Sequence, residues 1–237
     1  MAEINKKYKY LLLDVDDTLM DFKKIEAEAL QKLFESFGHP LSPALLDAYH
    51  TINKGLWADY ELGRVAMGDM LSKRFGLTMA QFGVAVDSGE WELRYQAMLG
   101  EGGHLIDDAK EVVTRLCAQY RLFVVTNGVR ETQRRRLEAG GLYSLFEAVF
   151  DSQSVGFQKP AKEFFDHVAA NIDGFEKHSA LIVGDSLTTD IRGGIAAGID
   201  TCWFNRNPEI SAADMPITYT ITKLTQLYGI LGVTDEG

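Results

Sequence analysis

Tyr10-Leu11-Leu12-Leu13-Asp14-Val15-Asp16-Asp17-Thr18-Leu19 passes from an unbroken apolar run into three carboxylates and back to apolar side chains. A short continuous apolar run is what a strand buried on both faces requires, and such strands belong to parallel sheets. The strand, expected over Tyr8–Val15, therefore delivers acidic groups to its carboxyl end. Open α/β sheets bind their ligands in the crevice outside those ends.

The downstream half repeats the same grammar. Leu122–Thr126, Ala148–Phe150, Ala180–Val183, Thr201–Phe204 and Tyr219–Ile221 read as strands. Helical patterns at Ile106–Tyr120, Arg130–Ala139, Ala161–Asn171 and Thr189–Ala197 alternate with them, a helix runs through Leu227, and 232–237 reads as a frayed end. Strand and helix in alternation predict an α/β fold with a Rossmann-like parallel sheet core.

Between Asp21 and Leu99 no strand pattern occurs. Ile25, Ala29, Leu30, Leu33, Phe34 and Phe37 fall at helical spacing across Lys23–Phe37, and Ser42-Pro43 has the N-cap and N1 chemistry that opens a second helix carrying Leu45, Tyr49, Ile52, Leu56 and Tyr60. Shorter helices are expected at Met67–Phe75, at Met79–Val86 with Thr78 as cap, and at Glu90–Met98. The block reads as a helical domain over 21–99, inserted into an α/β domain formed by 1–20 and 100–237. Its hinge is expected at Gly100-Glu101-Gly102-Gly103.

A net charge of −10 argues against a nucleic-acid polymer as partner, because such binding needs basic residues on phosphates. It leaves room for a small phosphorylated substrate, since a cation and a few basic groups reverse the field locally. No run reaches the roughly 18 apolar residues of a membrane span. Met1–Lys9 has no apolar core of a secretory signal, so the expectation is cytoplasmic. Cys117 and Cys202 have no partner at disulfide or zinc spacing and read as small buried hydrophobes. Arg134-Arg135-Arg136 reads as a solvated helix face, and Gly193-Gly194, inside a helix, as a close packing point.

A parallel sheet brings all strand ends to one rim. Asp14 and Asp16 come from the first strand, Thr126 and Asn127 from the second, Lys159 from the loop Gly156-Phe157-Gln158-Lys159-Pro160, and Asp185 with Asp190 from the segment after the fourth. Carboxylates gathered in this way repel unless a hard cation sits among them, and ligands that are all oxygen favour Mg²⁺. Lys159 and the Thr126 hydroxyl suit an anionic tetrahedral group.

Taken together, Asp14-x-Asp16-x-Thr18, Thr126, Lys159 and Gly184-Asp185-x-x-x-x-Asp190 resemble, in order, the four motifs of the haloacid dehalogenase-like (HAD) hydrolase superfamily. The helical block resembles its C1-type cap domain. The resemblance implies that Asp14 is a nucleophile forming an aspartyl-phosphate and that Asp16 is the acid/base. It implies Mg²⁺ held by Asp14, the Asp16 carbonyl and Asp185, with Asp190 close by either as a further ligand or as a partner behind the ligands, and phosphoryl oxygens held by Thr126, the Asn127 backbone and Lys159. Dehalogenases of the superfamily lack an acid two residues after the nucleophile, so Asp16 implies a phosphatase. Asp17 stands where many members carry Gly, and Asp tolerates the unusual backbone angles of such a turn.

Leu56-Trp57-Ala58-Asp59-Tyr60-Glu61-Leu62-Gly63, with Asp-Asp-Thr-Leu and Thr126-Asn127-Gly128, is similar to the HAD pyrimidine 5′-nucleotidases. That implies a nucleoside monophosphate as substrate, with Trp57 and Tyr60 as candidate base contacts or, on their apolar stripe, as packing within the helical domain. A sugar-phosphate phosphatase or phosphomutase is the alternative on the same core. A receiver-like phosphoacceptor or regulatory binding module is the alternative of another class.

Overall fold

The computed structural model describes residues 7–207, 210, 212 and 214–233, so the end expected to fray lies, at 234–237, outside the described residues. Two compact units make up the chain: Lys23–Gly102, and the segments up to Phe22 and from Gly103 onward.

The second of these is an α/β unit built on one parallel sheet of six strands. They are β1 (Tyr10–Leu13), β2 (Arg121–Thr126), β3 (Ala148–Asp151), β4 (Ala180–Gly184), β5 (Asp200–Phe204) and β6 (Tyr219–Ile221), in spatial order β3-β2-β1-β4-β5-β6. β1 is central: Tyr10 pairs with Arg121 on one side and with Ala180 on the other. The reversal of strand order falls beside it, which opens a crevice at its carboxyl end. Leu11, Leu12, Leu13, Val124, Val125, Ile182 and Val183 are buried, as an apolar run covered on both faces must be. β1 is shorter than expected. The backbone leaves the ladder at Asp14, whose N–H still donates to Val183 O at 3.0 Å.

One face of the core gathers Tyr10, Leu12, Phe123, Val125, Ile182 and the Phe164, Phe165 and Val168 side chains of a helix at Lys162–Ala170. A helix at Arg192–Ala197 packs closely because Gly193 and Gly194 lack side chains. An added Cβ at Gly194 would stand 2.6 Å from Ile182 Cγ2, so the expected role of this glycine pair as a packing point is observed. The turn before that helix, Leu187–Ile191, is π-helical rather than α-helical.

The helical unit contains α2 (Pro43–Glu61), α3 (Met67–Ala80), α4 (Ser88–Leu99) and nearly all of α1 (Phe22–Ser36). Ser42 caps α2 by accepting from Leu45 N at 3.2 Å, and Asp87 caps α4 by accepting from Glu90 N at 3.0 Å. The helix expected at Met67–Phe75 runs on to Ala80, and the second one expected at Met79–Val86 does not form, since 81–83 is a turn and 84–86 is irregular. Thr78 lies inside α3, buried, with its hydroxyl donating back to Arg74 O at 2.7 Å instead of capping a new start. Packing explains the continuation: Met67, Met70, Leu71, Phe75 and Met79 form one buried stripe. Trp91 stacks on Phe37 with centroids 4.4 Å apart and meets Phe34 edge-on at 5.0 Å. Tyr49, Phe75 and Tyr95 fill the rest.

Candidate active site

At the end of β1 the chain turns back on itself through Asp16 and Asp17. Asp17 adopts φ +56°, the left-handed region that Asp tolerates and most residues avoid. Asp17 N donates to Met20 O at 2.8 Å, which closes the turn, and Arg206 reaches the Asp17 carboxylate at 3.2 Å. This geometry leaves Asp14 buried, pointing at the neighbouring strand ends.

Lys159 is the hub. Its ammonium, nearly inaccessible to solvent, donates to Asp14 Oδ1 at 2.8 Å, Asp190 Oδ1 at 2.6 Å and the Val125 carbonyl at 2.8 Å. Burial alone would lower the lysine's pKa, but the charges of Asp14 and Asp190 hold it above its usual range. The loop that carries it is tied down by Asn127, whose side chain donates to Lys159 O at 2.9 Å and accepts from Lys159 N at 2.8 Å. Asn127 thus serves through its amide side chain as a brace for the lysine.

Asp14, Asp185 and Asp190 each present an oxygen, and these oxygens lie within 4.8 Å of one another. Three carboxylates against one ammonium leave negative charge in excess. Burial, then the charge of Asp190, pushes the Asp14 carboxyl up to about 7; burial, then Asp14 and Asp190, pushes Asp185 up to about 8. Such a set of hard oxygen donors fits a hard divalent cation, which would relieve the repulsion. Thr18, buried beside them, donates to Asp14 Oδ2 at 3.0 Å and accepts from Asp185 N at 3.1 Å, locking two of the carboxylate-bearing segments together.

The structure thus brings together Asp14, Thr126, Asn127, Lys159, Asp185 and Asp190 of the expected set. Thr126 is buried, and its hydroxyl oxygen accepts from Gly128 N at 3.0 Å and Gln133 Nε2 at 3.1 Å, so its own proton is free to be donated. Asp16 is the more exposed member, its side chain one-third accessible, and its carboxylate is held at both oxygens. Trp57 and Tyr60 belong to the helical unit, where their rings meet edge-to-face at 5.7 Å with Tyr60 buried.

Thr18, Gln133 and Arg136 are the site residues that sequence reading missed. The first was visible as the Thr of Asp14-x-Asp16-x-Thr18. Arg136 corrects an expectation: it is not on a solvated face with Arg134 but is 1% exposed, its guanidinium against Asp16. Arg134 behaves as read, pairing along the helix surface with Glu131 and Glu138, and Arg135 is likewise half-exposed. Cys117 is also corrected, being only partly buried, whereas Cys202 is buried as expected. Among the described residues no helix is long and apolar enough to cross a membrane.

Comparison with known proteins places this geometry. The family profile of haloacid dehalogenase-like hydrolases matches residues 8–198. Over 230 residues, 97% of this chain and 98% of the relative, the sequence is 42% identical to YfnB of Bacillus subtilis (strain 168). A crystal structure of YfnB bound to magnesium aligns with a TM-score of 0.90, covering 96% of this chain and 100% of that one. The pyrimidine 5′-nucleotidase PynA of Streptococcus pneumoniae is 38% identical over 199 residues, 84% of either chain. The pyrimidine 5′-nucleotidase YjjG of Escherichia coli (strain K12) is 27% identical over 225 residues, 95% of this chain and 98% of that one.

Proposed function

Because the chain belongs to the haloacid dehalogenase-like hydrolase family, we propose that it is a Mg²⁺-dependent phosphomonoester hydrolase, specifically a nucleoside 5′-monophosphatase of the pyrimidine nucleotidase kind. The observation that carries this reading is the bridge from Lys159 to both Asp14 and Asp190 inside a buried acidic cluster. An ammonium placed there offsets the repulsion between an attacking carboxylate and a phosphate, two anions that otherwise do not meet.

In this reading an Asp14 oxygen attacks phosphorus, and the bond from phosphorus to the ester oxygen breaks. Asp16 gives that oxygen a proton, and the alcohol leaves. Asp16, now a carboxylate, takes a proton from water as the water attacks the aspartyl-phosphate. Inorganic phosphate departs and both aspartates return to their starting states. The Thr126 hydroxyl, the Asn127 backbone and the Lys159 ammonium hold the phosphoryl oxygens. Asp14, the Asp16 carbonyl, Asp185 and Asp190 would hold Mg²⁺, which when bound supplies charge neutralisation for the phosphoryl group.

The helical unit, in this reading, is a cap that selects the leaving group, with Trp57 and Tyr60 beside the base. A panel of nucleoside monophosphates and sugar phosphates, assayed with Mg²⁺, tests the proposal. Preference for pyrimidine nucleotides supports it. Preference for sugar phosphates removes the nucleotide assignment and keeps the phosphatase. A stable aspartyl-phosphate without turnover replaces the enzyme by a phosphoacceptor module.

A further inference from the structure

Arg136 is expensive where it lies. It is 1% exposed, and its Nε and Nη2 have no hydrogen-bond partner among the described residues. A buried guanidinium with unmade bonds costs stability that an apolar side chain of similar size would not. The face of Phe22, 5.2 Å away, offers it only a weak substitute. Packing alone does not call for such a residue.

What Arg136 does contact is Asp16. Its Nη1 donates to Asp16 Oδ1 at 2.5 Å and to Gln133 Oε1 at 3.2 Å, while Gln133 Nε2 donates to Asp16 Oδ2 at 2.6 Å and to Thr126 Oγ1 at 3.1 Å. Gln133 and Arg136 stand three residues apart on the helix Arg130–Ala139, hence on one face, and each takes one oxygen of the carboxylate. Asp16 is accessible enough for water to satisfy it. The pair therefore adds orientation rather than solvation.

A second feature is built around the same contact. Gly128 has no side chain, and a Cβ there would stand 2.0 Å from Gln133 Nε2. The Gly of Thr126-Asn127-Gly128 leaves the space through which Gln133 reaches both Thr126 and Asp16.

The geometry points to Gln133 and Arg136 as positioning residues for Asp16, a two-donor clamp that aims its carboxyl group at the leaving oxygen. The inference rests on the phosphatase reading above. The clamp touches neither the phosphoryl group nor the leaving oxygen and acts through Asp16.

Its signature is a dependence on the leaving group. An alkyl phosphate such as a nucleoside monophosphate leaves as a basic alkoxide and needs the proton, whereas p-nitrophenyl phosphate leaves as a stable phenolate and hardly needs it. The experiment compares kcat/KM on both esters, with Mg²⁺, for wild type, Arg136→Met, Arg136→Lys and Gln133→Met, each checked for a wild-type melting curve. Arg136→Met is expected to lose about 100-fold on the alkyl ester and under about 5-fold on p-nitrophenyl phosphate, with Arg136→Lys recovering part of the difference. Gln133→Met, which removes no charge, is expected to show the same asymmetry and serves if Arg136→Met fails to fold. Equal losses on both esters, or none, overturn the clamp while leaving the phosphatase intact. Wild type inactive on every phosphomonoester, sugar phosphates included, overturns the phosphatase reading and the clamp with it.

Discussion

The carboxyl group of Asp190 occupies the space that a side chain at Gly184 would need: a Cβ added to Gly184 would stand 2.3 Å from Asp190 Cγ. The last residue of β4 and the first acidic residue of the following π-helical turn are therefore fitted to each other. Gly184→Ala is expected to push Asp190 off Lys159, its partner at 2.6 Å. Displacement of a site group by about 1 Å typically costs on the order of 100-fold in turnover. Steady-state kinetics with a Mg²⁺ titration checks this, and an alanine variant with wild-type kcat would show that Asp190 need not stay where it is.

Asp14→Asn keeps the shape of the side chain: its one carbonyl oxygen can still accept from Lys159, the partner of Asp14 Oδ1 at 2.8 Å, while its amide nitrogen faces the Thr18 hydroxyl oxygen, the partner of Asp14 Oδ2 at 3.0 Å, as a donor. The fold is expected to survive, but an amide is not a nucleophile, so turnover should fall by at least about 10³-fold. Trapping labelled phosphate on acid-quenched protein supplies the complementary measurement. Label bound to the Asn variant as to wild type would move the covalent step to another residue.

Metal and pH are coupled here with a definite sign. Asp14 and Asp185 have folded-state pKa values raised to about 7 and about 8, above the ordinary carboxylate range. Between that range and the raised values, the metal-free folded state binds more protons than the unfolded one, so its stability falls as pH rises. Mg²⁺ competes with those protons, so its stabilising effect should grow across the same window. Thermal melts in EDTA and in saturating Mg²⁺, at about pH 6 and about pH 8, are expected to show the larger shift at the higher pH. The same shift at both would mean that these carboxylates do not bind the ion, and turnover unaffected by EDTA would remove the metal from the reaction.

How much of this was legible beforehand follows from which interactions are local. The parallel sheet could be read because β1, β2 and β4 carry their burial as unbroken apolar runs, and the acidic groups follow directly at the strand ends. The Ser42 cap was likewise a matter of a few adjacent residues. Arg136 was not legible, because periodicity marks buried helix faces by apolar residues, and here the buried face carries a guanidinium whose partner, Asp16, is 120 residues away. Thr78 misled for a related reason: cap chemistry and a back-bond to Arg74 O look alike in sequence, and tertiary packing of α3 decided between them. Gly128 and Gly184 were visible as motif glycines, but their reasons lie in Gln133 and Asp190, which fold back over them.

The helical unit poses its own test in Arg74 and Glu92, a buried pair joined twice, Nε to Oε2 at 2.6 Å and Nη2 to Oε1 at 2.7 Å. Arg74 also donates to Asn53 at 3.2 Å and lies 4.6 Å from the Tyr95 ring, while Glu92 accepts from Gln96 at 2.7 Å. Taking two charges out of water costs about as much as their attraction returns, so the pair itself contributes little net stability. Removing one member is different, since the other is left charged and buried, at about 3–5 kcal/mol. Arg74→Met and Glu92→Leu are each expected to cost that much in urea denaturation, and the double variant less than either single one. A double variant whose loss equals the sum of the singles would mean that the two charges stabilise the helices independently, through Asn53 and Gln96 rather than through each other.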